Sequence, residues 1–540
     1  MKKSIKRILA ILIGAILVLP TFTGCGNIEN GGNETQGVVF FDVNNPQLEI
    51  SNYSARATTT TSVPKKVLRG QAENTMPIGG FTGPDYRYVI NGKKIDLLND
   101  QTFQLLEDCG INMLIQNGFS MNYGSEMTTK ALTLADAHKI NYFVPDDTIQ
   151  IKYNTGDTYT DASSVGSVAD IKTVLKKYTD DYKYFTGFYG ADEPAEVSFG
   201  KIQESWTNYN QVIYDLGLEN KGLSLYYNHI VVQTGYTDKR MTSAKYETYL
   251  NNYLATGGDY LMFDLYPFAI YQGNDKAHWG NWLNLLGLFS AMSAENNVPW
   301  WGFAQNGGNF DGAGETAFRI VNEGELNYNV NTMLAFGAKG ISYFPACTPV
   351  IYAENENINT NDSGLINEYG QKTPRYYYAQ QINKQIQAID EYLMSCQFKG
   401  VIQTASYNFI DNGDHPSIYS EVYGRGSDTN SYKKSSYGIL SSVSCGSGDY
   451  ALVGCFDYGN VNAYYIVNDS FVNDDATVTL KFSGNNDYLI IQRGVVGTLK
   501  SKNQFGVRLS AGEGAFILQL KNSDPNANDN VVGDTTPFSV

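Results

Sequence analysis

The stretch YFTGFYGADEP, residues 184–194, ends an apolar and aromatic run with two adjacent carboxylates and a proline. Its composition predicts a buried β-strand, which Pro194 ends. Amphipathic sequence directly after it predicts a helix at about 200–216. This strand–helix unit is one of eight that we predict between residues 75 and 395.

The other seven predicted strands are equally short and apolar, and helix-length sequence follows each of them. They are MPIGGF (76–81), INMLIQNG (111–118), INYFVP (140–145), KGLSLYYNH (221–229), DYLMFDLYPF (259–268), VPWWGFAQN (298–306) and KGISYFP (339–345). Parallel strands need crossover connections, which are usually helices, and eight such units close into a (β/α)₈ barrel. The sequence therefore predicts an α/β protein with a TIM barrel. A doubly wound sheet is the alternative, but its early glycine-rich phosphate loop is missing from the sequence.

The chain after the barrel has a different pattern. Residues 396–522 lose the helical period and alternate between apolar runs and Gly/Asn/Asp turns, which predicts an all-β, sandwich-like C-terminal domain. Residues 523–540 are polar, and we predict a disordered tail. A disulfide between Cys445 and Cys455 is conceivable, although a protein of this size favours buried free thiols.

The N-terminus has the features of a secretion signal. Basic residues precede a short apolar run at 8–19, which is too short to cross a bilayer as a helix. The following TFTGC resembles the lipobox of bacterial lipoproteins, with Phe22 where Leu is usual. The resemblance implies that 1–25 is a lipoprotein signal peptide and that Cys25 anchors the mature protein to the outer face of a bacterial membrane. A plain secretory signal is the alternative. We interpret 26–74 as a tether and an N-terminal arm.

The charge of the chain narrows the class of partner. It has 39 Lys and Arg against 55 Asp and Glu, a net charge of −16. Nucleic acid needs a basic surface, so we expect no nucleic-acid partner. The cysteines have no metal-type spacing, and we predict no metal and no cofactor. The oligomeric state is left open.

The carboxyl ends of the predicted strands carry acids, amides and aromatic rings, and active sites of such barrels form there. Glycoside hydrolysis needs one carboxylic acid and a second carboxylate, with rings and amides to bind the sugar. We predict Glu193 as the acid, because shielding by Tyr189 and the charge of Asp192 raise its pKa. A turn-capping role for either acid is the alternative. The second carboxylate is predicted to be Asp264 or Asp192. The predicted substrate-binding residues are Tyr189, Asn117, Asn228, His229, Tyr266, Trp301, Gln305 and Tyr343.

Four segments carry a family resemblance: YGADEP, MFDLYPF, WWGFAQ and LAFGAKGISYF. They resemble bacterial glycoside-hydrolase-like barrels of the clan A style, near the family 42 β-galactosidase-like proteins, over most of 75–522. The resemblance implies a carbohydrate substrate and an accessory β-sandwich. The chain departs from the family in two places. Asp-Glu replaces Asn-Glu on strand 4, and Gln305 stands where the nucleophilic Glu is expected on strand 7. An amide cannot form a glycosyl-enzyme ester, so Glu315, Glu323 and Glu325 are further candidates for the second carboxylate.

The Asp192–Glu193 pair also resembles that of family 20 and family 123 hexosaminidases. That resemblance implies a substrate-assisted reaction in which Asp192 orients an acetamido group and Tyr266 or Tyr343 binds its oxygen. A non-catalytic carbohydrate-binding lipoprotein is the alternative from a different class. We therefore predict a glycoside hydrolase that acts on extracellular poly- or oligosaccharide, with the sugar, the linkage and the anomeric outcome open.

Overall fold

The computed structural model describes residues 38–48, 63–116, 125–149, 151, 165–229, 243–271, 274–279, 282–308, 316–349, 363–404, 417–418 and 433–520. The predictions for Cys25, Asn117, Glu315 and the tail at 523–540 lie outside these residues. Among the helices of the described ranges, none combines the length and the apolar character that a membrane span needs.

Eight parallel strands form the barrel. In chain order, barrel strands 1 to 8 are Ile78–Phe81, Met113–Ile115, Asn141–Pro145, Phe185–Asp192, Ser224–Asn228, Leu261–Phe263, Trp300–Gln305 and Ile341–Phe344. Their order in the sheet is 5-4-3-2-1-8-7-6, and a parallel bridge between His229 and Phe263 joins strand 5 to strand 6. The sheet is therefore closed, and the predicted (β/α)₈ barrel is confirmed.

One helix follows each barrel strand. Helices α1 to α8 are Asp100–Asp108, Ser125–Ala137, Val168–Asp181, Phe199–Asp215, Ser243–Leu254, Trp282–Asn296, Glu323–Ala335 and Pro374–Leu393. Helix α1 begins after Asn99, whose side chain accepts a hydrogen bond from the backbone N–H of Thr102. Helix α6 begins at Trp282, three residues after the strand Asn274–Trp279 ends.

Side chains along the barrel strands alternate between the interior and the surrounding helices. On strand 7, Trp300 packs outward against Phe289 of α6, whereas Trp301 points into the barrel and packs on Tyr260. These two tryptophans therefore face opposite sides of the barrel sheet. The interior is filled by one apolar cluster, which comprises Leu68, Phe81, Met113, Ile115, Phe143, Tyr189, Tyr226, Tyr260, Met262, Tyr266, Trp301, Phe303 and Phe344.

A second, small sheet lies on the carboxyl side of strands 6 and 7. The hairpin Phe268–Tyr271 and Asn274–Trp279 follows strand 6, and its first strand pairs with Thr316–Phe318, which follows strand 7. Its second strand pairs with Ser417–Ile418. A segment from the C-terminal region thus pairs with the loops at the mouth of the barrel.

The C-terminal domain is all-β, as predicted, and its eight described strands form one continuous sheet. It contains Val39–Phe40, Gln397–Gln403, Leu440–Cys445, Ala451–Tyr458, Val461–Asn468, Ala476–Gln492, Val495–Leu509 and Gly514–Leu520. Part of the predicted tether is therefore a strand of this sheet. Cys445 and Cys455 are free thiols, so the conceivable disulfide does not form.

Alternation along these strands gives the sheet two apolar faces. Tyr464 and Ile466 lie in a core that the sheet encloses, whereas Tyr465 and Val467 join the core of the barrel. The Tyr465 hydroxyl donates to Asn331 Oδ1 of α7 at 2.7 Å. Because the sheet contributes these side chains to the core of the barrel, the barrel and the sheet form one compact unit from residue 39 onward.

Candidate active site

The site begins at the tip of barrel strand 4. Glu193 directly follows the strand and adopts a φ of +47°, and its backbone N–H donates to the carbonyl oxygen of Asn228 at 2.9 Å. A positive φ is uncommon for residues other than glycine and clusters at functional sites. This conformation breaks the alternation of the strand, so Asp192 and Glu193 both lie at the mouth, half-buried.

Strands 5 and 6 contribute the residues that face this tip. Alternation turns Tyr226 and Asn228 of strand 5 inward, and it turns Met262 and then Asp264 inward after Leu261–Phe263. Asn228 is fully buried and Asp264 is 7% exposed. Three neighbouring strand ends therefore bring the three predicted acids and the predicted amide of Asn228 together.

Hydrogen bonds connect the three carboxyls. Asn228 Nδ2 donates to Asp192 Oδ1 at 2.8 Å, and Asp264 lies beside the same amide. The carboxyls of Glu193 and Asp264 are hydrogen bonded to each other. Because two carboxylates cannot share such a bond without a proton, this pair holds one.

Burial shifts the protonation of all three acids. It raises the pKa of Asp192 to about 6, against the hydrogen bond from Asn228. It raises the pKa of Glu193 to about 7, helped by the charge of Asp192 and opposed by the hydrogen bond from Asp264. Burial, followed by the charges of Glu193 and Asp192, raises the pKa of Asp264 well above its ordinary value. At neutral pH the cluster therefore holds at least one proton.

The direct hydrogen bond between Glu193 and Asp264 limits the distance between their two carboxyls. Carboxyls that act across a glycosidic bond are about 5–5.5 Å apart in retaining sites and about 6.5–9.5 Å apart in inverting sites. Two hydrogen-bonded carboxyls are closer than either separation. Glu193 and Asp264 thus form a proton-sharing pair, and they do not face each other across the width of a sugar linkage.

Aromatic rings form the floor beneath these acids. The rings of Tyr189 and Tyr226 stack with centroids 5.9 Å apart and planes 19° apart. Tyr266 packs against Phe344 at 5.3 Å. Three buried polar atoms at this level have no hydrogen-bond partner among the described residues: Tyr226 Oη, Asn228 Oδ1 and Asp264 Oδ1. Sequence reasoning did not select Tyr226, although its position two residues before Asn228 places both on the inner face.

His229 does not belong to the site, contrary to the prediction. It follows inward-facing Asn228, so alternation turns it outward toward α5. Its ring lies 4.0 Å from the ring of Tyr253, measured between centroids, and Nδ1 is 2.6 Å from the carbonyl oxygen of Met262. The residue is fully buried, and burial lowers its pKa to about 4. A neutral histidine packed under a helix cannot contact substrate at the mouth.

Gln305 is also a structural residue, contrary to the prediction that it binds substrate. It is fully buried, and its Oε1 accepts from the backbone N–H of Phe268 at 2.9 Å. Its Nε2 donates to the carbonyl oxygens of Phe268 and Arg319 at 2.7 and 2.9 Å. The side chain therefore fastens the small sheet to strand 7 and offers neither a carboxylate nor a free donor.

The acids after strand 7 have local roles or lie outside the described residues. Glu325 forms a capping box with Asn322 at the start of α7 and an ion pair with Arg319. Its capping role is the one that its position indicated. Arg319 also donates to the carbonyl oxygen of Ala269 at 2.8 Å, so it holds the mouth loops together. Glu323 is exposed in the first turn of the same helix.

Trp301 and Tyr343 lie away from the mouth, and both predictions of substrate contact are corrected here. Trp301 is fully buried near the amino end of the barrel. Tyr343 faces outward, and its hydroxyl donates to Asn383 Oδ1 of α8 at 2.8 Å. Among the described residues, no group of three or more His, Cys, Asp or Glu side chains is arranged to hold a metal ion.

Comparisons with known proteins give only distant structural matches. No protein-family model matches the chain, and no curated protein matches it significantly. Among solved structures, the chain is similar to a GH42 β-galactosidase from G. stearothermophilus in catalytic-mutant form. The identity is 8%, the TM-score is 0.48, and the match covers 85% of this chain and 100% of the other.

Two further structures show the same level of likeness. An Anoxybacillus α-amylase matches at 12% identity and a TM-score of 0.46, over 84% of this chain and 99% of its own. A β-galactosidase from the psychrophilic Marinomonas ef1 matches at 12% identity and a TM-score of 0.40, over 61% of this chain. The chain spans 63% of the length of that β-galactosidase chain. Since these TM-scores are all below 0.5, the strand order of the chain itself defines its fold.

Proposed function

We propose that the protein hydrolyses O-glycosidic bonds, with Glu193 as the proton donor. The observation that carries this proposal is the hydrogen-bonded pair of Glu193 and Asp264 at the carboxyl end of the barrel. Glycosidic cleavage requires an acid that still holds a proton near neutral pH, which an ordinary glutamate does not. Burial raises the pKa of Glu193 to about 7 and so suits it to this role.

The proposed reaction uses the three carboxyls differently. Glu193 gives its proton to the glycosidic oxygen while the bond to the anomeric carbon breaks, and positive charge develops on that carbon. Asp192, with a pKa of about 6, is ionised first and is the second carboxylate: it stabilises that charge and assists the attacking water. Asp264 acts through Glu193 as a positioning residue, because its hydrogen bond holds the acid in place.

A substrate-assisted reaction uses the same acids. In that case Asp192 orients an acetamido group of the substrate, and that group takes the place of a protein nucleophile. The amide at position 305 favours this variant, because strand 7 supplies no carboxylate there. Of the two tyrosines considered for the acetamido oxygen, Tyr266 remains at the mouth, whereas Tyr343 is bonded to Asn383 behind the barrel.

A panel of plant, fungal and bacterial polysaccharides and oligosaccharides tests the hydrolase proposal. Reducing ends released by the wild type are compared with those released by Glu193→Gln. Glu196→Gln is the matched control, because Glu196 is exposed three residues further on, outside the carboxyl cluster. We expect the wild type and the control to cleave at least one glycan and Glu193→Gln to lose that activity. Equal cleavage by wild type and Glu193→Gln would remove Glu193 from the reaction.

A carbohydrate-binding protein without activity is the second candidate. Gln305 favours it, because an amide occupies the strand position where the resembled family places its nucleophile. This candidate predicts that wild type and Glu193→Gln bind the same glycan with similar affinity and that neither cleaves it. The panel above therefore separates the two functions when binding and product release are both measured.

We further propose that the protein works outside the cell, anchored through a lipid on Cys25. The lipobox-like TFTGC supports this location. Two lipid-dependent observations test it: metabolic labelling with a palmitate analogue, and the distribution of the protein between membrane and medium. Cys25→Ser is expected to abolish labelling and membrane retention. A Cys25→Ser protein that still fractionates with membranes argues for another mode of attachment.

A further inference from the structure

We infer that the sugar held against Asp192, Glu193 and Asp264 carries a positively charged amine, so that the substrate is a glycan containing unacetylated amino sugars. This inference rests on the proposed function and names the substrate class of the same site. Three carboxyls and two buried acceptor atoms converge at the ends of strands 4, 5 and 6, and their chemistry matches an ammonium group better than a hydroxyl or an acetamide.

The first observation is the lack of a cationic partner for the carboxyls. The groups that shift the pKa values of these three acids are burial, the acids themselves and Asn228; no described Lys, Arg or His is among them. His229, the nearest histidine in sequence, faces α5 and is neutral because burial lowers its pKa to about 4. Buried carboxylates are normally paired, and here the protein itself supplies no described cation.

The second observation is a pair of unsatisfied acceptors among these acids. Asn228 is fully buried, its Nδ2 donates to Asp192 Oδ1, and its Oδ1 has no partner among the described residues. Asp264 is only 7% exposed, and its Oδ1 also has no hydrogen-bond partner among the described residues. A buried acceptor without a donor costs about 1–3 kcal/mol, so a donor-rich ligand is favoured at this point.

An ammonium group has the complementary hydrogen-bonding capacity. It offers three N–H donors and no acceptor, which is enough for Asn228 Oδ1, Asp264 Oδ1 and one oxygen of the carboxylate pair. A hydroxyl offers one donor. An acetamide offers one donor and adds a carbonyl acceptor, which the two unsatisfied acceptors cannot bond. The hydroxyl of Tyr226 can donate or accept and does not discriminate.

Binding of a cation also prepares Glu193 for its role. The pair shares one proton, and an ammonium beside Asp264 favours the ionised form of that carboxyl. The shared proton is thereby displaced along the existing hydrogen bond toward Glu193. No proton is gained or lost by the pair, and the acid that must protonate the glycosidic oxygen is the one that carries it.

Six monosaccharides that cannot be hydrolysed provide the test: glucosamine, N-acetylglucosamine and glucose, and the three galactose counterparts. Dissociation constants for the full-length protein are measured by ligand-observed NMR at pH 6, where the free amines are charged. We expect an amine to bind about 10- to 100-fold more tightly than its acetamide and hydroxyl counterparts, the range for one hydrogen bond to a charged group. Asp264→Asn is expected to abolish this preference, and Glu196→Gln is expected to retain it.

The outcomes separate this inference from the hydrolase proposal. Preference for a neutral or N-acetylated sugar, an amine preference that survives Asp264→Asn, or no binding of any of the six overturns the amino-sugar inference. The hydrolase proposal is tested separately, by comparing the wild type with Glu193→Gln on the glycan panel. Loss of the preference in Asp264→Asn through unfolding is recognised by loss of affinity for every sugar together with a lowered Tm. In that case Glu193→Gln, which removes the charge of the other carboxyl of the pair and is expected to weaken the amine preference at least threefold, decides the matter.

Discussion

The two ends of the barrel use the same inward-facing positions for opposite purposes. At the amino end, Leu68, Trp301 and Tyr260 close the interior mainly by packing, and none of them is more than 1% exposed. Trp301 Nε1 is the one side-chain polar atom of these three that has no described partner. At the carboxyl end, Asp264 and Asn228 occupy inward positions with unsatisfied polar atoms. The difference shows where the fold is stabilised and where stability is given up for chemistry, since buried unpaired polar groups destabilise a protein and packed rings stabilise it.

The largest expected effect separates activity from stability at the mouth. Glu193→Gln preserves the shape of the side chain but removes the proton donor, so we expect activity to fall about 10²- to 10⁴-fold, the usual contribution of general acid catalysis. The Tm should not fall. Steady-state hydrolysis of the glycan identified by the panel, together with thermal unfolding, checks both parts. A protein that loses activity and stability together would show that Glu193 supports the fold as well.

The amino end should give the reverse pattern. Trp301→Ala removes a buried ring that packs on Tyr260 at 4.7 Å, and we expect a loss of about 3–5 kcal/mol in the free energy of unfolding. Catalytic constants of the remaining folded protein should match the wild type. Tyr214→Ala is the control, because Tyr214 is 70% exposed on α4. Chemical denaturation measures the change, and a loss for Trp301→Ala no larger than for the control contradicts its role in the core.

Gln305 lies at the mouth of the barrel, but we expect its substitution to change stability and not activity, as for a core residue. Gln305→Glu leaves the carbonyl oxygens of Phe268 and Arg319 without their donor, and we expect a loss of stability of about 1–3 kcal/mol without any gain in hydrolysis. Gln101→Glu, on the exposed first turn of α1, is the control. A Gln305→Glu variant with higher activity would mean that the position can serve as the missing nucleophile.

The smallest effect concerns the pH dependence of stability. The raised pKa values of Asp192, Glu193 and Asp264 mean that the folded protein binds more protons than the unfolded chain. Their contribution is therefore most favourable below the ordinary carboxyl pKa of about 4, and it is lost as the pH rises through about 6 and 7. Asp264→Asn removes one of the three acids, so it should stabilise the protein by about 1–2 kcal/mol at pH 8 and have little effect at pH 4.

Denaturant unfolding of Asp264→Asn at the two pH values gives this comparison directly. Asp259→Asn is the matched control, because Asp259 pairs with Lys66 at the amino end of the barrel, where a stabilising charge is removed. The control should not gain stability at pH 8. Equal changes in both variants would mean that the carboxyl cluster at the mouth is not under electrostatic strain.

Most of the fold was accessible from sequence because it depends on local patterns. Strand 4 was predicted at 184–194 and is observed at Phe185–Asp192, and the helix predicted at about 200–216 is observed at Phe199–Asp215. The edge strand of the C-terminal sheet was not accessible from sequence. That strand is Val39–Phe40, and it pairs with Val495–Leu509, more than 450 residues further along the chain.

The candidate site was predicted only in part, and the errors share a physical cause. Position at a strand end was read correctly for Asp192, Glu193, Asn228 and Asp264. The direction in which two side chains point was predicted wrongly. His229 follows an inward-facing residue and faces outward, and Tyr343 faces outward because it precedes inward-facing Phe344. Alternation within each strand contains this information, but its phase is known only once one residue of the strand has been placed.

The sequence by itself determined the class of architecture and the acids that stand at strand ends, because hydrophobic period, caps and turn residues act over a few neighbouring residues. Only the tertiary structure decided that Glu193 and Asp264, 71 positions apart, share a proton, and that Gln305 is used up by the backbone of a neighbouring loop. Hydrogen bonding and desolvation depend on the distance between groups in space, and closure of the barrel sets that distance.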